Sequence, residues 1–523
     1  MKTQLWSPTQ ADLDALASKT ADNTLTSVDG GPEVVKLMFT VALLTEMVGG
    51  GRDKGIVDVN HPFRGKALRC RLRAWWRLLA RTGHFQLKPR GGAIEKPATW
   101  EALYEAEVLR WGGKNRDGKP VAGRVEVVIE MSTKESERVD GPRASPGNMP
   151  GYVVFAPFQK VDGKPSPDCF RKFGKRDSSA QLTIICAADI EDEVLRCLRW
   201  WASFDGFGAR TRRGAGTVMV VDARGVLKPI SIKDAAKAGC ILTARPVRND
   251  AIQAWQECAE KLRSFRQGHD HTDIRNALSA VAQSVSPSES ERENLKSQLD
   301  AAVQTFKPGG TKAIDESVRP FGELKPPQLK KNKKGAIVWN VGYRPGRSNW
   351  PEPDMIRRAF GTHAPHHVPR DDRPQCFPRA VLGLPFVGQF AHPLPDNEGD
   401  PGKFQVLPEQ GERLASSIIV KPRAVADGRY EAIALFVPPI LPLNETDGVP
   451  APQGVSKAAL LAMRVQVKTQ GDNGVDKGDP VPVWNKANWA AGKSVPPVEV
   501  LGTNTAGTPA GDPISAFLNY FVK

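Results

Sequence analysis

The sequence predicts an α+β fold in which antiparallel sheets carry helices, and three observations predict it. Strand-like apolar runs alternate with amphipathic helices in mixed order rather than in a regular strand–helix repeat. Turn signals such as Asp427-Gly428 lie between apolar runs, as in β-hairpins. The one conspicuous glycine-rich loop leads into a strand and not into a helix, which excludes a dinucleotide-binding turn, and no GxxxxGK[ST] loop is present. Together they favour sandwiches of ferredoxin type over a parallel doubly wound sheet.

At 523 residues the chain exceeds what one hydrophobic core organises, so two domains with insertions are expected. The 73 Lys and Arg outnumber the 58 Asp and Glu, a formal charge of +15 that favours a polyanionic partner through release of condensed counterions. Seven scattered cysteines form no CxxC pair, which fits a reducing compartment and argues against a zinc ribbon or a disulfide scaffold. The first residues lack a signal-peptide pattern, and the run LMFTVALLT is too short to span a bilayer, so a soluble cytoplasmic protein is expected.

In chain order, the strand VVKLMFTVALLTEMV from Val34 ends at the glycine run Gly49 to Gly51, where only a loop fits. A long basic helix follows. Strands are expected at VEVVIEM from Val125, GYVVFAPF from Gly151 and QLTIICAA from Gln181, then a helix through DIEDEVLRCLRWWASF and a strand TVMVVD. Residues 250 to 305 turn polar and helical. The Lys-, Pro- and Gly-rich stretch that includes PPQLKKNKKG behaves as an exposed linker. Globular patterning resumes beyond it, with a hairpin at ASSIIVKPR and RYEAIALFVPP. The expected organisation is a first module over 30–245, a helical insert or connector over 246–306, a basic flexible linker over 307–335, and a second module over 336–523.

The basic helix, PFRGKALRCRLRAWWRLLARTG from Pro62, is the most informative segment. At about 100° per residue Leu68, Leu72, Trp75 and Leu79 share one stripe, while Lys66, Arg69, Arg73, Arg77 and Arg81 gather opposite. No acidic residue interrupts the segment, so these cations repel one another unless an anion lies across them. Two readings stand: a solvated face above a Leu/Trp core, or a nucleic-acid surface, for which the guanidinium fork suits phosphate and stacks on unpaired bases. Trp75 and Trp76 are expected in or at the edge of the core.

A second basic segment is FDGFGARTRRGAGTVMVV from Phe204. Gly206, Gly208, Gly214 and Gly216 allow sharp bends or close approach, and Arg210, Arg212 and Arg213 set positive charge among them. Backbone amides and guanidinium groups in one loop can cradle a phosphodiester; the plain alternative is a glycine-rich hairpin with solvated arginines.

Taken together the two segments resemble the RAMP superfamily of CRISPR proteins, through Arg64-Gly65, Trp75-Trp76-Arg77 and the GxGxRxRRGxG pattern of Gly206 to Gly216. Within it the chain looks like the large two-module subunit of the type III-B Cmr complex, with WPEPDMIRRAF, RAVLGLPF and RLASSIIVKPR as counterparts in the second module. The Arg64-Gly65 to Trp-pair spacing is about one helical turn longer than the family pattern, and Ser417 stands where the second module often has proline. The resemblance implies tandem ferredoxin-like (RRM-like) RAMP modules with a helical insert and long loops, and a non-catalytic RNA-binding subunit in antiviral defence. It implies binding near the 3′ end of guide (CRISPR) RNA, help in engaging target RNA, and other RAMP subunits as partners, with no membrane, cofactor or metal. The RNA-binding residues it suggests are Arg64, Lys66, Arg69, Arg73, Arg77, Arg81, the loop from Gly206 to Gly216, and, in the second module, Arg344, Arg347, Lys421 and Arg423.

Three other readings remain open at this level. A metal-independent RAMP endoribonuclease would use His363, His366 or His367 near Arg357 and Arg358 as general base. His269-Asp270-His271 could begin a metal phosphohydrolase site, although partner ligands are not evident. A scaffold whose basic faces dock acidic proteins would keep the fold without RNA.

Overall fold

A computed structural model describes residues 33–50, 58, 61–85, 100–131, 153, 179–267, 376–389, 403–409, 411–425, 429–438, 457–471, 474–484 and 512–522, with short strand segments at 25–26, 160–161, 164–165, 328–331 and 337–340. The chain divides into two compact units, one of residues 1–261 with 417–457 and residue 522, the other of 262–416 with 458–521 and residue 523.

The first unit is built on an antiparallel sheet. Its strands are β1 (Val34–Leu43), β2 (Val125–Met131), β3 (Ser179–Ala187) and β4 (Val218–Asp222), and helices α1 (Gly65–Arg81), α2 (Trp100–Trp111) and α3 (Glu191–Phe204) lie between them in sequence. The spatial order β4-β1-β3-β2, with a short strand Gly225–Val226 beyond β4, is entirely antiparallel. With α1 and α3 this gives a βαββαβ connectivity, the arrangement of the split βαβ motif, in which each helix returns the chain so that the next strand enters the right slot. The predicted strand at Gly151 lies outside the described residues save for Val153.

Burial follows the sequence pattern. In β3, Ser179, Gln181, Thr183 and Ile185 are partly exposed while Ala180, Leu182, Ile184 and Cys186 are buried, the period-two signature of a sheet with one face on the core. From α1 the core receives Leu68, Leu72, Trp75, Trp76 and Leu79, and from α3 it receives Val194, Cys197, Leu198, Trp200, Trp201 and Phe204. Trp75 lies 5.4 Å from Trp200 and 6.0 Å from Phe204, so the two helices meet through aromatic rings. The fully buried Trp76 donates its Nε1–H to Glu193 Oε2 at 2.7 Å, and Glu193 is paired in turn with Arg110. Both tryptophans are buried in the core: Trp75 lies on the predicted apolar stripe, and Trp76, expected in or at the edge of the core, is fully buried.

Domain organisation departs from the sequence reading at the hairpin. β6 (Ile418–Ala424) and β7 (Tyr430–Phe436) pair antiparallel as the predicted hairpin requires, the turn at 426–428 lying outside the described residues, but β7 also pairs with β5 (Ile241–Ala244), and residues 417–457 fall in the same compact unit as residues 1–261. The physical reason is the uniform burial of β6, every residue of which is buried, so the hairpin needs cover on both faces. Ile419, Ile433 and Leu435 join the core of the first unit. Helix α4 (Ala251–Gln267) realises the start of the predicted helical segment; residues 268–306 lie outside the described residues. Within the predicted linker, Gln328–Lys331 forms a strand that pairs antiparallel with Ile337–Asn340.

The second unit contains an antiparallel sheet of strands Phe386–Gln389, Lys403–Pro408, Arg464–Gly471 and Gly474–Lys477 in that spatial order. Phe404, Val465, Ile514, Phe517 and Phe521 are buried in it.

Candidate nucleic-acid interface

The charged face of α1 and the glycine–arginine loop, both singled out by sequence, lie in the first unit and have different surroundings. On α1 the anion that the arginines require comes from α2. Glu107, almost wholly buried, pairs with Arg73 and with Arg77, whose second donor reaches Glu107 Oε1 at 2.7 Å. The pairing raises the Arg77 guanidinium pKa above its ordinary value. Arg69 donates to the Trp111 carbonyl, and Arg73 to the Gly112 carbonyl at 3.1 Å, so both satisfy carbonyls at the C-terminal end of α2. Part of the face predicted to contact RNA is thus paired within the chain, through Arg69, Arg73 and Arg77, whose side chains stay partly exposed. Lys66 and Cys70 remain exposed beside a shallow cleft of about 380 Å³ that Arg69, Arg73 and Trp111 also line. Arg64 pairs with Asp58 at 3.1 Å, and Arg81 is half-buried, which lowers its pKa.

The loop is a tightly fixed turn. Arg210 has φ 64° and ψ 19°, a left-handed conformation unusual for a residue with a Cβ, and it opens a single 3₁₀ turn, Thr211–Arg213, that closes at Gly214 with φ 80°. Two of the glycines are explained by backbone approaching backbone. A Cβ on Gly206 would lie 2.0 Å from the Gly216 carbonyl oxygen, and one on Gly216, at φ 64°, would lie 1.9 Å from that of Phe207. The close approach that the glycines permit is filled by the loop's own chain. Further bonds hold it: Trp255 of α4 donates to the Arg213 carbonyl at 2.7 Å, Thr45 Oγ1–H to the Gly214 carbonyl at 2.6 Å, and the Gly216 N–H to the Glu46 carbonyl at 2.8 Å.

Three segments converge here. The chain after β1 bridges the loop through Val48 and Ala209, and Gly49 and Gly50 both take positive φ, with Gly50 against Gly208. The start of α1 reaches it through Phe63, whose ring centroid is 4.5 Å from that of Phe207. Arg71, half-exposed on α1, lies 3.8 Å from Asp205 Oδ2 at the loop entry, and Asp205 Oδ1 accepts the Gly206 N–H at 3.0 Å. Arg212 is held by the same neighbourhood: burial lowers its pKa, Asp205 offsets that, and Arg71 adds to it.

Sequence reasoning passes over Arg71, Asp205 and Glu107. Arg71 flanks the apolar stripe two turns after Arg64, so on a helical wheel it stands apart from the other arginines. Glu107 sits thirty residues or more from its partners, where no local pattern reveals it. Of the second-module candidates, Lys421 and Arg423 are buried in the first unit. Lys421 donates to the Asp205 carbonyl; Arg423 pairs with Glu431 at 2.6 Å and donates to the Ile230 carbonyl at 2.7 Å. They are interior residues and not an RNA-facing surface. Arg344, Arg347, Arg357, Arg358, the histidines 363, 366 and 367, and His269–His271 lie outside the described residues. Among the described residues no group of three His, Cys, Asp or Glu could hold a metal ion, and no helix is long and apolar enough to cross a membrane.

No family model and no curated protein matches the chain. Solved structures do. The chain is structurally similar to Cmr1. The apo form of Cmr1 from Pyrococcus furiosus aligns with 47% of this chain and 74% of its own, at 12% identity and a TM-score of 0.31. A chain of the type III-B Cmr-beta complex bound to cognate target RNA and AMPPnP in the presence of ssDNA aligns over 78% of this chain and 94% of its own, at 12% identity and a TM-score of 0.30. The same complex bound to cognate target RNA gives 77% and 94%, 12% identity and 0.29.

Proposed function

We propose that the chain is a non-catalytic RNA-binding subunit of a type III, Cmr-type CRISPR effector complex, built from tandem ferredoxin-like RAMP modules and working in the cytoplasm. It contacts guide RNA near the 3′ end, helps to engage target RNA, and assembles with other RAMP subunits. The reading rests on the RAMP motifs of the sequence and on one observation: the two motif segments converge, with Arg71 of α1 beside the loop that carries Arg210, Arg212 and Arg213.

The chemistry suits a backbone contact. A loop whose backbone is already fixed by hydrogen bonds presents guanidinium groups without a backbone ordering cost at the moment of binding, and phosphodiester oxygens are their natural acceptors. No base-reading pocket is needed, because in such a complex base pairing reads the target sequence. The proposed contact set is Arg71, Arg210, Arg212 and Arg213, with Arg64 and Lys66 at its margin. Arg344 and Arg347 are proposed contacts of the second module.

The test is RNA binding by the full chain as salt is raised. The parent's affinity should fall steeply with salt, and Arg71→Ala with Arg213→Ala should reduce the slope by roughly one for each phosphate that the variant no longer neutralises. A slope and an affinity equal to the parent's for this double variant would defeat the reading.

A further inference from the structure

Behind the loop lies a buried cation. Lys421, on β6, is fully buried, and its ammonium donates to the main-chain carbonyl of Asp205. Asp205 is the last residue before the first loop glycine. Its N–H closes α3 by donating to the Trp201 carbonyl at 2.8 Å, its Oδ1 accepts the Gly206 N–H, and its Oδ2 faces Arg71. One residue therefore joins helix end, loop entry, α1 and β6. β6 also packs on the 3₁₀ turn directly, since Pro422 Cδ stands 3.0 Å from where a Cβ on Gly214 would sit.

We propose that Lys421 is a positioning residue for the loop: by holding the Asp205 carbonyl it sets Arg71 and Arg212 for phosphate contact. This rests on the RNA-binding reading above. A buried ammonium is costly unless it is used, and an apolar residue would fill the same site without that cost. The titratable groups that act on Lys421 are Asp205, Arg423 of the same strand, and Cys258 of α4. Arg423 is answered by Glu431, and burial pushes the Cys258 thiol up, so it stays neutral. Burial lowers the Lys421 ammonium to about 7, partly offset by Asp205. An RNA phosphate at the loop adds negative charge nearby and stabilises the protonated form, so binding takes up a proton.

The experiment measures binding of a labelled single-stranded RNA to the full chain across neutral pH, for the parent, Lys421→Met, Lys421→Arg, and Arg71→Ala with Arg213→Ala. The parent should lose affinity as pH rises through the Lys421 midpoint. Lys421→Met, its fold checked by circular dichroism, should bind roughly fivefold more weakly at the acid end and show no such step. Lys421→Arg should keep the charge and lose the step, retaining most of the affinity. A folded Lys421→Met with the parent's affinity and pH profile overturns the proposal. If that variant does not fold, a parent profile that is flat across neutrality overturns it instead. Arginine variants that leave binding intact would mean the RNA reading has failed; weakened arginine variants beside an unchanged Lys421→Met would confine the failure to Lys421.

Discussion

The α1 face and the glycine–arginine loop have the same kind of charge and different neighbours. On α1, Arg73 and Arg77 close on the buried carboxylate of Glu107, and Arg69 on a helix-terminal carbonyl. At the loop, Arg71 and Arg212 lie at one carboxylate, Asp205, with the Lys421 ammonium on that residue's carbonyl. The first arrangement answers its charge from within and serves packing. The second gathers cations from helix, loop and strand around a rigid turn, which is what a polyanion can use. On the proposed reading, the placement of carboxylates, and not arginine density alone, separates a structural seam from a binding surface.

The largest effect that would sharpen this contrast is pH-dependent and belongs to the loop side. Lys421 has its midpoint lowered from 10.5 to about 7 in the folded chain. Between those values the unfolded chain holds a proton that the folded chain has released, so stability is lowest below the folded midpoint and rises with pH, by on the order of 5 kcal/mol in full. Urea unfolding followed by tryptophan fluorescence should show this rise, and Lys421→Met should abolish it.

On the α1 side, Glu107→Ala strands two arginines against a buried seam and should cost about 3 kcal/mol in the same assay. RNA affinity, measured where the variant is still folded, should not change. A large loss of affinity with intact fold would break the distinction between the two regions.

A smaller test probes the strained turn. Arg210→Gly removes the left-handed strain and should stabilise the chain by about 1 kcal/mol while weakening RNA binding. Stability and binding moving together would show that Arg210 serves the fold alone.

Much of the first unit can be read from the sequence. The strands at Val34, Val125 and Gln181 and the helix at Asp189 follow from period-two and period-3.6 patterns, and the same argument puts Trp75 on the buried stripe. The hairpin is legible as a hairpin, but its address is not. Pairing of β7 with β5 joins residues almost two hundred positions apart, and local pattern carries no information at that range. For the same reason Lys421 and Arg423 read as surface cations: a charged residue in a strand looks exposed until its partners, Asp205 and Glu431, are known. The loop's glycines read as permitting close approach, and only the fold shows that the approaching group is the chain itself.

The most direct test of the account compares the salt dependence of RNA binding for Arg71→Ala with Arg213→Ala against Arg77→Ala. The loop pair should lower the slope of log affinity against log salt by about two, and Arg77→Ala should leave it unchanged. A slope reduced by Arg77→Ala and untouched by the loop pair would contradict it.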